Sequence, residues 1–106
     1  MNSRTSKITE FTKLVIAQIK AIPEGKVVTY GFIASLAGNH RAARQVARIL
    51  HSCSEKEALP WHRVVNREGR ISLKPFQGYE IQKQLLEQEG VKFDKTGKIN
   101  SEHFMK

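Results

Sequence analysis

The stretch Thr29–His51, "TYGFIASLAGNHRAARQVARILH", decides how this chain is read. Thr29 stands where a helix would begin, and a threonine hydroxyl there can accept from the free amides of the first turn. Phe32, Ile33 and Leu36, with Ala37 at the margin, then share one face, and Gly38 supplies the left-handed residue on which helices commonly stop. Asn39 and His40 form a turn, and Arg41–His51 restarts as a helix of about three turns. On it Arg41, Arg44 and Arg48 fall within about 60° of one another, while Ala42, Ala43, Val46, Ile49 and Leu50 cover the other side. Two short helices broken by a glycine turn, the second cationic along its exposed stripe, form a helix-turn-helix pattern. These arginines could contact phosphates, or one could enter a groove while its neighbours hold the backbone; the plain alternative is a solvated basic face. Tyr30 is open to two readings, a phosphate or base contact and a ring that caps the core.

Working outward, Phe11, Leu14, Val15, Gln18, Ile19 and Ile22 recur at spacings of three and four, which predicts an amphipathic helix capped by Thr9. Pro23 and Gly25 end it, and residues 1–8 read as a polar tail. On the other side, Ser52–Pro60 reads as a loop. "WHRVV" favours extended structure, "NREG" a turn and "RISL" a returning strand, so a small β-hairpin is expected. Ile81, Leu85, Leu86 and Tyr79 predict the buried face of a fourth helix ending near Gly90. Val91 and Phe93 can dock, and 94–106 reads as a polar tail that frays at its end. The expected fold is mainly α, a winged helix-turn-helix-like DNA-binding domain over 9–93 with a small β-hairpin.

Composition narrows the classes of function. A chain of 106 residues is one domain by length. Eighteen Lys and Arg against ten Asp and Glu leave +8, a balance suited to polyanionic partners. No apolar run of about 18 residues occurs and the first residues lack a signal-peptide core, so a cytoplasmic protein without a membrane partner is expected. Cys53, the single cysteine, excludes an intramolecular disulfide. The histidines lack paired metal-ligand spacing and no glycine-rich phosphate loop occurs, so neither metal nor cofactor is expected. Nothing marks a homodimer interface, and a monomer is expected.

One constellation suggests a chemical site. His62 could polarise water or a thiol if Glu89 oriented its ring, and Arg63 could pair with an acid. Trp61 has no nucleophilic atom; its ring could stack on a base, bound a pocket or sit in the core. Cys53 would be nucleophilic only if Arg48 or His51 favoured its thiolate.

In this order and spacing, "IPEGKVVTYGFIASLAG", "RAARQVARIL", "PWHRVV" and "LLEQEG" resemble the C-terminal domain of the O6-alkylguanine-DNA alkyltransferases, and most closely their alkyltransferase-like relatives. The resemblance covers Phe11 to Gly90. True alkyltransferases read Pro-Cys-His-Arg-Val at the site, the cysteine accepting the alkyl group; the matching residues here are Pro60, Trp61, His62, Arg63 and Val64. The resemblance implies that Tyr30 presses on the phosphate of a nucleotide being rotated out and that Arg44 fills the space it leaves. Arg41 and Arg48 would hold the DNA. His62 and Glu89 match the pair that activates the cysteine, a relic relay here, and Arg63 matches a structural arginine. Trp61, His62 and Val64, with Lys74 and Phe76 from the loop "LKPFQGY", would form the lesion pocket. Arg48 and Ala47 replace the usual glycine pair after the arginine finger, and Cys53 stands near a common asparagine.

What this resemblance implies is a non-enzymatic protein that binds double-stranded DNA containing O6-alkylguanine through the minor groove, flips the base and marks it for nucleotide excision repair proteins. An alkyltransferase using Cys53 and a general DNA-binding regulator are the alternatives.

Overall fold

Two threonine hydroxyls set the beginnings of the first two helices. Thr9 Oγ1 accepts from the Thr12 amide at 3.1 Å and opens α1, Glu10–Lys20; Thr29 Oγ1 accepts from the Phe32 amide at 3.1 Å and opens α2, Tyr30–Leu36. Both hydroxyls satisfy amides that the helix itself leaves free. The computed structural model describes residues 9–105, so the expected tail at 1–8 lies outside the described residues. The third helix, α3, spans Ala43–Cys53, and the fourth, α4, spans Tyr79–Gln88.

α1, α2 and α3 pack against one another. Val15 and Ile19 of α1, Ile33 and Ala34 of α2, and Val46 and Leu50 of α3 fill their common core, with Ala37 and Ala42 at the close approach of the turn. Two residues expected inside are exposed, Leu14 and Leu36. α1 is covered on one side only, which narrows its buried stripe, and the inward positions of α2 go to small alanines that let the backbones converge. α3 begins two residues later than its pattern suggests. The Asn39 side chain accepts from the Arg41 amide and its carbonyl accepts from the Ala42 amide, so Arg41 belongs to the turn. The helix then continues through Cys53, into the expected loop.

The expected hairpin does not form. Trp61–Arg63 is a single 3-10 turn, and Val64–Val65 (β2) pairs in parallel with Val28–Thr29 (β1), Val28 opposite Val64 and Thr29 opposite Val65. The Asn66–Arg70 turn closes as read, with the Asn66 amide donating to the Arg70 carbonyl at 3.0 Å. Beyond it, however, the Gly69 carbonyl accepts from the Ile99 amide, and "RISL" makes no strand. Distant segments occupy the edges that a hairpin would have used.

The short strands divide two cores. Val28 and Val64 face the three-helix core, whereas their neighbours Val27 and Val65 face a second one with Ile71, Leu86, Val91 and Ile99. Alternation of side chains along extended backbone produces this division. The end expected to fray instead closes the second core: Ile99 is buried, Phe104 packs against the cluster, and Val27 donates to the His103 carbonyl at 2.9 Å. α4 also sits rotated from its expected phase. Gln82 and Leu86 are buried, Tyr79 and Leu85 are half-buried, and Ile81 is 59% exposed. Among the described residues no helix is long and apolar enough to cross a membrane.

Candidate nucleic-acid interface and base cleft

Glu89, just past the end of α4, ties together three distant pieces of chain. Its Oε1 accepts from the Gly25 amide and Arg63 Nε, both at 3.0 Å, and its Oε2 accepts from Arg63 Nη2 and His62 Nε2, both at 2.7 Å. Arg63 Nη1 reaches the Ile22 carbonyl at 2.8 Å, so the guanidinium joins the end of α1 to the end of α4. Gly25 has φ +85, and a side chain there would press within 3.3 Å of the Glu89 carbonyl; glycine is what lets the turn deliver its amide. Burial pushes the Glu89 carboxyl up, but the bonds from Arg63, Gly25 and His62 outweigh it and hold the group down at about 2. Glu89 is therefore ionised at neutral pH and can only accept, so His62 Nε2 carries a proton.

Pro60 and the 3-10 turn present Trp61 beside this network. The Trp61 ring packs on the three-helix core and meets His62 edge-on, centroids 6.1 Å apart and planes at 84°. It also lines an open cleft of about 750 Å³ bounded by α2, α3 and the loop after β2. Tyr30 and Trp61 supply its aromatic surface, Ala47 and His51 the α3 wall, Ser72 and Leu73 the loop wall, with Gln82 also lining it. Tyr30 Oη and Ser72 Oγ lie 3.5 Å apart. A space of this size, walled by two rings and a few polar groups, suits a flat heteroaromatic ligand.

Along α3, Arg44 and Arg48 are exposed, and Arg41 is exposed in the turn before it. Among the described residues none of the three pairs with a carboxylate, and the first turn of α3 contains no acid. Arg48 lies on the flank facing α1, lining a groove with Phe11 and Gln45, and Ala47 and His51 lie on the cleft side. Arg44 stands about one turn before Ala47 and two before His51 on the exposed face.

The residues expected at the pocket thus divide. Trp61 and Tyr30 line the cleft, and His62, Arg63 and Glu89 form the network beside it. Val64 is fully buried, facing the core because it pairs in the parallel sheet. Lys74 and Phe76 do not line the cleft; Ser72 and Leu73 occupy the loop wall instead. Phe76 is 95% exposed at φ +66, its amide held by the Glu80 carboxylate, which turns the ring outward. Cys53 is half-buried against the three-helix core and does not line the cleft. Among the described residues no three His, Cys, Asp or Glu side chains are grouped to hold a metal ion.

The pattern reading missed His51, Ser72 and Gln82. His51 was visible as the residue one turn beyond Ala47. Gln82 carried a signal as well, a polar residue at helical spacing between Tyr79 and Leu86, where an apolar one would continue the stripe.

Comparison with known proteins gives three concordant findings. Residues 10–91 match the family described as 6-O-methylguanine DNA methyltransferase, DNA binding domain. The DNA base-flipping protein of Escherichia coli is 45% identical over 101 residues, spanning 95% of this chain and 78% of that one, and Alkyltransferase-like protein 1 of Schizosaccharomyces pombe is 38% identical over 104 residues, spanning 93% and 96%. The crystal structure of the S. pombe ATL protein in complex with damaged DNA containing O6-carboxymethylguanine superposes with a TM-score of 0.77 at 36% identity, covering 92% of this chain and 95% of that one.

Proposed function

This chain belongs to the family of the 6-O-methylguanine DNA methyltransferase DNA-binding domain, and on that premise we propose that it recognises O6-alkylguanine in duplex DNA by base flipping and does not take up the alkyl group. The observation that carries the reading is Trp61. Its indole lines the cleft beside the complete network of Glu89, His62 and Arg63, and by the resemblance of "PWHRVV" to the alkyltransferase site it stands where the acceptor cysteine would be. That network has no thiol to activate, and an indole cannot accept an alkyl group in nucleophilic displacement under these conditions. What remains is recognition: α3 holds the phosphates, Arg44 occupies the gap left in the duplex, Tyr30 presses on the backbone, and the base enters against Trp61. Flipping costs a few kcal/mol, less where alkylation has weakened the base pair, which favours the damaged site. Lys74 and Phe76, outside the cleft wall, contribute as rim contacts that meet the DNA. The protein acts as a monomer on DNA in the cytoplasm, and the bent complex is what nucleotide excision repair proteins read.

Titration of two duplexes that differ only in one O6-methyl group, at matched salt, tests this. Tighter binding of the methylated duplex with unchanged protein mass is expected. Equal affinities would make the protein a general DNA binder, and a methyl gained on Cys53 would make it a transferase. Cys53 packs against the helical core and is not among the residues that line the cleft, which supports the non-enzymatic outcome.

A further inference from the structure

Arg48 lines a second groove, of about 600 Å³, between α3, the start of α1 and the turn that joins α2 to α3. Phe11, Ala37 and Ile49 supply its apolar surface, and Thr12, Gln45 and Arg48 much of its polar surface. The hydrogen bonds around it consume acceptors and leave donors. Thr9 Oγ1 accepts from the Thr12 amide and donates to Thr12 Oγ1, both at 3.1 Å, so the Thr12 hydroxyl hydrogen points elsewhere. Asn39 Oδ1 accepts from the Arg41 amide at 3.1 Å. Neither the Gln45 side-chain amide nor the Arg48 guanidinium bonds to a described residue, and no described residue lining the groove is acidic. Gln45 and Arg48 lie three apart on α3, and Gln45 directly follows Arg44, so the groove continues the basic face of that helix.

A sugar-phosphate backbone has the complementary division, with anionic oxygens that only accept and a deoxyribose that offers apolar surface. Resting on the reading of α3 as the helix that meets DNA, we propose that the groove between α1 and α3 receives the backbone of one DNA strand away from the flipped nucleotide. Thr12 Oγ1 and Gln45 Nε2 donate to a phosphate whose charge Arg48 balances, and Phe11 and Ile49 meet the adjoining sugar. α1 thereby joins the DNA interface. Such a contact fixes the duplex against the protein without reading a base, so it acts on damaged and undamaged DNA alike.

The experiment uses duplexes that carry one neutral methylphosphonate linkage at a time, moved stepwise along each strand, with the unaltered protein, Thr12→Val and Gln45→Ala. Each variant is expected to bind the unmodified duplex about 2- to 10-fold more weakly, the range of one net hydrogen bond. At one linkage the neutral substitution is expected to cost the unaltered protein more than it costs either variant, because the donor is already gone; at every other linkage the costs are equal. Neither substitution removes a charge, so the salt dependence of binding is expected to hold in both, unlike in Arg48→Ala. Variants that bind as tightly as the unaltered protein overturn the proposal. So does full sensitivity of both variants at every linkage, which a groove covered by another part of the chain or by a protein would give. Thr12→Val leaves Thr9 its bond from the Thr12 amide, and Gln45→Ala removes a side chain with no described partner, so a failure of one variant to fold leaves the other to decide. O6-methylguanine and guanine duplexes form a separate pair. Equal binding there with one coupled linkage overturns the lesion reading and not the groove, and a lesion preference without a coupled linkage overturns the groove alone.

Discussion

At Glu89 two opposed effects meet, since burial disfavours the carboxylate while Arg63, Gly25 and His62 favour it, and the bonds prevail by holding the group at about 2 against an ordinary 4.5. A carboxyl depressed on folding stabilises the folded state when ionised. Its contribution is complete above about pH 4.5 and is lost as pH falls toward 2; the shift corresponds to roughly 3 kcal/mol. Urea unfolding of the protein and of Glu89→Gln at pH 7, 4 and 3 checks this. The variant is expected to be less stable at pH 7, with Arg63 left partly buried beside an uncharged partner, and the gap is expected to narrow across that acid window. A gap that stays constant with pH would overturn the account. Residue chemistry grouped Arg63 with His62 and Glu89 as one candidate constellation, but 26 residues separate Arg63 from Glu89 and local rules do not say which acid the arginine meets.

The elements were legible to different degrees. Both threonine caps were readable, since a cap depends on the first turn of its own helix, and Thr29→Ala is expected to cost about 1 kcal/mol in thermal or urea unfolding. The cationic stripe of α3 was readable for the same reason, although Asn39 holds Arg41 in the turn. If the stripe meets phosphates, each lost contact should flatten the dependence of log affinity on log salt by about 0.9. Arg48→Ala is expected to show this change equally on damaged and undamaged duplexes. Arg44→Ala is expected to weaken the damaged duplex more, because filling the vacated gap matters only once a base is out. Identical effects of the two substitutions on both duplexes would remove the distinction between phosphate contact and gap filling. α4 was legible in extent but not in phase, because Gln82 is buried on backbone carbonyls that periodicity cannot reveal, and Ile81 turns outward in consequence.

For the whole molecule, the two cores meet across a pair of two-residue strands, which couples them through adjacent valines on opposite faces. Ile99→Ala, in the second core, is expected to destabilise the protein by about 2–5 kcal/mol. Trp61 is the single tryptophan and packs on the first core, so its fluorescence and far-UV circular dichroism should shift to the same lower urea midpoint. Separate midpoints would show that the cores unfold independently. The stretch 94–106 read as a polar tail that frays at its end because its apolar residues are isolated in sequence. Ile99 and Phe104 nevertheless reach Val27 and Gly69, contacts that only the folded chain brings about.

By itself the amino-acid sequence determined the helices, their caps, the basic stripe and the single indole beside His62 and Arg63, because each depends on residue chemistry or on neighbours within a turn or two. The tertiary structure decided the parallel pairing in place of a hairpin, the joining of Gly25, Arg63 and Glu89, and the cleft wall of His51, Ser72 and Gln82. Those features arise when segments far apart in the chain satisfy one another's backbone and charged groups, and no local periodicity encodes which distant partner will do so.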